Sequence, residues 1–185
     1  MMGSPVQGTS VADLQALVEA HEPASAREVA AKERFLAELA RLSDPCDELA
    51  GPTHVTASGI VVGRRGTVLH LHKRLGVWLQ PGGHIDAGES PAVAARREAT
   101  EELGLAVEHP ASGPCLLQLD VHPAAHGHTH LDLRYLLLAG DADPQPPPGE
   151  SPDARWYGWD EAIALADDGL AEALPLARAA YEELV

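Results

Sequence analysis

The sequence predicts a mixed α/β (α+β) domain, a sandwich of strands and helices without regular βαβ alternation, preceded by an N-terminal helical segment. Three observations predict it. Apolar residues recur at helical spacing over residues 11–42, strand-like runs begin at His54, and a well-delimited helix interrupts those strands at 91–103. A chain of 185 residues is long enough for one domain with a real core. The expected division is a helical extension over residues 1–50 and a main domain over 51–185.

In "VADLQALVEA", Val11, Leu14, Leu17 and Val18 fall on one helical stripe, and Ser10 is placed to cap it. "SAREVAAKERFLAELARL" repeats the pattern with Val29, Phe35, Leu36, Leu39 and Leu42. Both stripes are expected to cover the main domain or a partner subunit. "SDPCDELAGPTH" at 43–54 is rich in breakers and reads as the link. "VTASGIVV" and "TVLHLH" read as strands around the turn "GRRG", and "GVWLQPGG" as the run into a glycine-containing loop. "CLLQLDVH" and "HLDLRYLLLA" are further strands, and 140–153 is a long Pro-rich loop. A short strand at "ARWYGW" and helices around 160–166 and 170–184 complete the chain.

A formal charge of −15 excludes a broad electrostatic grip on nucleic acid or on an anionic membrane. An anionic small substrate stays open, provided a cation supplies positive charge locally. Cys46 and Cys115 show no metal-type pairing and read as reduced thiols. Without a stretch of apolar residues long enough to span a bilayer, or the basic start and apolar core of a secretory signal, the expected location is cytoplasmic.

The chemistry concentrates in "GHIDAGESPAVAARREATEELGL", residues 83–105. Ser90 suits an N-cap, Pro91 the first helical position, and Gly104 a left-handed C-terminal residue. Ala92, Ala95, Ala99 and Leu103 form the stripe expected to face the core. Glu98, Glu101 and Glu102 crowd the adjacent sector, although like charges at such spacings cost roughly 0.2–0.5 kcal/mol per pair. Their place toward the C-terminal half of the helix gives them no relief from its dipole. Hard divalent cations take oxygen ligands, and magnesium in particular combines one or two carboxylates with waters and phosphate oxygens. A carbonyl of the Gly82–Gly83 turn can join the glutamates, and Arg97 is placed to pair with Glu101 or Glu89.

Residues 83–105 resemble the Nudix box: a Gly, five residues, a Glu, seven residues, then Arg-Glu-apolar-x-Glu-Glu-x-Gly-apolar. Gly83, Glu89, Arg97, Glu98, Ala99, Glu101, Glu102, Gly104 and Leu105 meet every fixed position. The resemblance covers residues 54–185 and implies a Nudix α/β/α sandwich with a mixed sheet. It further implies metal-dependent hydrolysis of a nucleoside diphosphate linked to another moiety, with Mg²⁺ or alternatively Mn²⁺ as cofactor. Glu98, Glu101 and Glu102 then correspond to metal ligands, with the Gly83 carbonyl. Arg97 and Glu89 correspond to the supporting ion pair. The general base is a box glutamate or a later loop acid, for which Glu150 has the placement.

Outside the box, Lys73 and Arg74 are candidate phosphate contacts, and His84 a candidate substrate contact. Trp78 reads either as a stacking platform for a base or as core. His128, His130, Asp132 and Arg134 share one face of a strand, opposite Leu131, Leu133 and Tyr135. That face reads as a substrate wall carrying His130 and Arg134, as a second metal site without firm zinc spacing, or as a plain polar surface. The family's substrate signatures beyond the box are not met cleanly by Asp120, Val121, His122 and Pro123. The expected partner is therefore a small nucleoside diphosphate derivative of unspecified kind, with a homodimer as the assembly. The rival readings are a non-hydrolytic ligand sensor using the same cleft and an isomerase of the same fold.

Overall fold

The computed structural model describes residues 9–185. The elements, in order, are α1 (Val11–Ala20), α2 (Ala26–Leu39), β1 (Thr53–Gly63), β2 (Gly66–Leu71), β3 (Trp78–Leu79), β4 (Gly82–His84) and α3 (Pro91–Leu103). There follow β5 (Val107–Glu108), β6 (Cys115–Pro123), β7 (Thr129–Ala139), β8 (Ala154–Tyr157), α4 (Trp159–Leu165) and α5 (Asp168–Glu182).

Among the described residues, eight strands make one mixed sheet. Its spine is the parallel pair β1 and β7, in register from Thr53 opposite Thr129 to Val62 opposite Leu138. All other pairings are antiparallel: β2 and β4 on β1, β5 and β6 on β7, and β3 and β8 on β2. The strand alternation then sorts side chains to two faces. Val55, Ala57, Leu131, Leu133 and Tyr135 pack under Ala94 and Ala95 of α3 and under Leu14, Val18, Phe35 and Leu39 of α1 and α2. Ile60, Val62 and Leu136 face the other way, onto Ala162 of α4 and Leu170, Leu174 and Ala177 of α5. Burying each Leu or Phe here contributes about 1.5–3 kcal/mol.

The helix ends are built as the sequence predicts. Ser10 and Asp13 form a reciprocal capping box, with Asp13 N–H donating to Ser10 Oγ at 3.1 Å and Ser10 N–H to Asp13 Oδ2 at 3.0 Å. Ser90 Oγ accepts from Val93 N–H at 3.3 Å, and Gly104 ends α3 at φ 59°, the left-handed conformation that suits glycine. Three expectations shift. Ala92 is only half-buried, and α3 turns Pro91, Ala94, Ala95, Ala99 and Leu103 inward instead. Val29 is 45 % exposed, because α2 buries the side carrying Glu28, Ala31, Phe35 and Leu39. The run "GVWLQPGG" and the glycine-containing loop hold two short strands, β3 and β4, which at two and three residues are too short to show an alternation in the sequence.

Glu28 is the unexpected member of that inward side. Burial would raise its pKa, but His21 Nε2 at 2.6 Å and the N–H groups of Ala24 and Leu119 outweigh that and lower it. One buried carboxylate thus ties the α1–α2 connection to β6.

Candidate active site

The site forms where α3 passes β4. A β-carbon added to Gly82 would stand 2.7 Å from Ser58 Cα, so only glycine lets β4 lie this close to β1. One added to Gly83 would stand 2.7 Å from the Glu98 carboxylate. The glycine pair therefore makes a gap into which the helix lowers its acids. Glu102 Oε2 accepts from Gly82 N–H at 2.9 Å, and Glu98 sits against Gly83.

Arg97 organises the remaining charge. Its Nε and Nη2 donate to the two oxygens of Glu89 at 2.9 and 3.0 Å, a fork-on-fork pair, while Nη2 also donates to the His84 carbonyl at 2.9 Å. Its Nη1 reaches Glu98 at 2.8 Å and Glu101 at 3.2 Å. Both pairings expected of Arg97 are present, with Glu98 added. Burial would raise Glu89, yet the Arg97 guanidinium and the Asp86 N–H lower it. The Glu89 hydrogen bond, despite burial and with help from Glu98, holds Arg97 firmly charged.

Glu102 is the outlier. Burial first, then Glu98, Glu150 and Glu101, push it up to about 7 against the single opposing Gly82 N–H. Burial also raises Glu98, only partly countered by Arg97. His70 Nε2 lies 3.9 Å from Glu102 Oε2, but burial and His72 push that imidazole down to about 4. It is neutral at physiological pH and gives Glu102 no counter-charge.

Glu150 comes into electrostatic range of Glu102 because its loop is pinned to the end of β2. Ser151 Oγ donates to the Leu71 carbonyl at 2.6 Å, Leu71 N–H to Asp153 at 2.8 Å, and Lys73 Nζ to the Gly149 carbonyl. Lys73 thus holds the loop of Glu150, while Arg74 stands at the rim of a cavity of about 590 Å³. Glu102, Gly82, Gly83, His130 and Arg134 line the same cavity. His84 turns to Glu48, its Nδ1 3.1 Å from Oε2. Trp78 packs against Tyr157 with ring centroids 5.1 Å apart.

The inner part of the polar face of β7, Asp132 and Arg134, is buried and densely networked. Arg134, 2 % exposed, donates to Gln118 at 2.7 Å, Asp120 at 2.8 Å and Asp132 at 3.3 Å. Thr56 and Ser58 of β1 donate to the two oxygens of Asp132 at 3.0 and 2.7 Å. Arg27 of α2 adds a charge 2.7 Å from Asp120. Most donors of Arg134 are thereby committed to internal partners. The sequence reading gave no role to His54, Thr56 and Ser58, the β1 half of this face. The alternation of His54, Thr56 and Ser58 with Val55 and Ala57 was the signal that could have found them.

A mixed sheet between helical layers, with a glycine gap receiving carboxylates clamped by one arginine, defines a site of Nudix type. The chain matches the family model described as NUDIX domain over residues 52–178, and it belongs to the Nudix hydrolase family. It is 35 % identical to a MutT-like protein of Streptomyces ambofaciens over 72 residues, 38 % of this chain and 47 % of that protein. The matched stretch thus spans about half the length of that curated relative. A NUDIX-family hydrolase from Clostridium perfringens superposes with TM-score 0.57 and 29 % identity over 69 % of this chain and 97 % of that one. A UDP-X diphosphatase superposes with TM-score 0.54 and 16 % identity over 94 % of this chain and 92 % of the other. At that identity the likeness is one of fold. No helix among the described residues is long and apolar enough to cross a membrane.

Proposed function

We propose that the protein is a divalent-metal-dependent pyrophosphohydrolase that cleaves a nucleoside diphosphate linked to another moiety. The observation that carries this reading is Glu102, half-buried beside Glu98 at the Gly82–Gly83 gap with a pKa pushed up to about 7. Carboxylates held together at such cost are built for a cation that the protein itself does not supply.

The donor set fits a hard ion: the carboxylates of Glu98, Glu101 and Glu102 with the Gly83 carbonyl, all oxygen. Magnesium or manganese bound there supplies charge to neutralise a diphosphate and acidify a water. The chain's own contributions are positional. Arg97, fixed by Glu89, keeps Glu98 and Glu101 turned toward the gap. Glu150, on its pinned loop, accepts the proton of the attacking water. Arg74 at the cavity rim meets phosphate oxygens, and His84 and His130 meet substrate. Lys73 acts on the Glu150 loop, and Arg134 holds the cavity wall. A cavity of about 590 Å³ suits a nucleoside with part of its linked group. The fold shared with a UDP-X diphosphatase supports the same substrate class.

The reading extends to a cytoplasmic enzyme, in keeping with free Cys46 and Cys115, to a homodimer, and to residues 1–50 as an extension of the 51–185 domain. A panel of canonical nucleotides, dinucleotides, ADP-ribose, sugar nucleotides and coenzyme A, assayed with Mg²⁺ and Mn²⁺, tests it. Metal-dependent phosphate-bond cleavage that is lost in Glu102→Gln is the expected result. Binding of a panel member without turnover would favour the sensor instead.

A further inference from the structure

Three imidazoles from three strands converge beside the carboxylate gap. His54 of β1 is paired in register with His130 of β7, and His84 of β4 is paired with Thr56, two residues along β1. Paired residues and residues two apart share a sheet face, so all three rings rise from one side. The His54 ring centroid lies 5.0 Å from those of His84 and His130 and 5.3 Å from that of His128. One ring nitrogen from each of His54, His84 and His130 falls within 4.8 Å of the others.

His54 demands an explanation. It is 0 % exposed, and neither ring nitrogen has a hydrogen-bond partner of normal geometry. One ring nitrogen approaches the Gly51 backbone without closing a well-formed hydrogen bond, and an imidazole so buried among other imidazoles is an expensive arrangement unless something binds it. Burial, then His84, lowers its pKa, and burial, His122 and His54 push His130 down to about 4. Both shifts favour the neutral imidazole, the form that offers a lone pair to a metal.

We propose that His54, His84 and His130 form a second cation site, selective for a transition-metal ion of the zinc type. Three nitrogen donors suit zinc and its neighbours and not magnesium, which takes oxygen. Zn–N bonds of about 2.0–2.1 Å place ligand nitrogens of a tetrahedral site about 3.3 Å apart, so the rings close in slightly on binding. His84, whose side chain is 43 % exposed, has freedom to do so. Glu48, 3.1 Å from His84 Nδ1, is the kind of carboxylate that orients a metal-bound imidazole through its other nitrogen. With three protein ligands, a fourth position stays open to water or to an anionic oxygen. His130 lines the cavity that Glu102 also lines, so the cluster borders the substrate space.

The test uses the full chain stripped by chelator, then titrated with Zn²⁺ against a chromogenic chelator in excess Mg²⁺, which saturates the carboxylate gap. One Zn²⁺ per chain, not displaced by Mg²⁺, is expected, together with a visible absorption of tetrahedral type when Co²⁺ is used. His84→Ala and His130→Gln should each weaken Zn²⁺ binding by about a hundredfold or more, while Glu102→Gln should keep it. If His130→Gln does not fold, as judged by circular dichroism, the half-exposed His84→Ala decides. No stoichiometric uptake, wild-type affinity in His84→Ala, or loss of the ion in Glu102→Gln would each overturn the proposal. Mg²⁺-dependent hydrolysis is scored separately, so failure of either reading leaves the other standing.

Discussion

Glu102 of α3 and the polar face of β1 and β7 line one cavity, yet the charges of helix and sheet are handled in opposite ways. On the sheet, Asp120 meets Arg134, Arg27 and His122, and Asp132 meets Thr56, Ser58 and Arg134. Burial would raise Asp120, but those partners hold it well below the usual carboxylate range. At the helix, Arg97 serves Glu89, Glu98 and Glu101 while Glu102 keeps a single N–H and a raised pKa. Buried charges satisfied from within make scaffold, and those left unsatisfied make a place for something from outside.

The largest expected effect tests the unsatisfied side. Glu102→Gln should lower kcat by about 10²–10⁴-fold, on the scale of losing a principal electrostatic group, with an unchanged or slightly raised melting temperature. A folding defect with near-normal turnover would invert the contrast.

Next, Arg134→Leu should leave Asp120 and Asp132 buried without their shared cation and cost about 3–5 kcal/mol in urea unfolding. Loss of activity without loss of stability would show that Arg134 serves substrate and not the wall.

Arg97→Gln should show both effects at smaller size. It frees Glu89, Glu98 and Glu101 together, so kcat should drop by about ten- to a hundredfold while unfolding changes by about 1–2 kcal/mol.

The two carboxylates should also show opposite pH linkage in metal-free protein. The folded pKa of Asp120 is lowered, so its contribution is present above its unfolded value near 3.9 and is lost as pH falls. Glu102 is raised, so its contribution is present below about 4.3 and is lost as pH rises through about 7. Melting temperatures across that range, for wild type beside Asp120→Asn and Glu102→Gln, should lose the acid slope in one variant and the neutral slope in the other.

The smallest effect belongs to a single neutral donor. Thr56→Val removes one hydrogen bond to Asp132 and should cost about 1–2 kcal/mol, again by urea unfolding.

The same contrast explains what could be read from the chain. The helix site lies within 23 residues, so its caps, its helical spacing and the resemblance to the Nudix box together brought up Glu89, Arg97, Glu98 and Glu102, although the period misplaced Ala92. The sheet site is an accident of register. Nothing near His54 in sequence says that it will stand opposite His130, because the two are 76 residues apart and meet only when β1 and β7 pair. Arg134 was visible as a polar residue on a strand face, but its partners Gln118 and Asp120 come from β6. Amphipathic stripes at 11–42 likewise foretold a buried side, with no means of saying which surface it would cover.

That covered surface bears on how the protein can be handled. A shortened chain starting at residue 52, where the family match begins, would strip away Leu14, Val18, Phe35 and Leu39. It would leave Leu119, Leu131 and Leu133 facing water as a greasy, sticky sheet. The helical preamble works as the lid of the apolar floor on which the box helix also rests, so trimming for crystallisation or expression should begin upstream of Ser10.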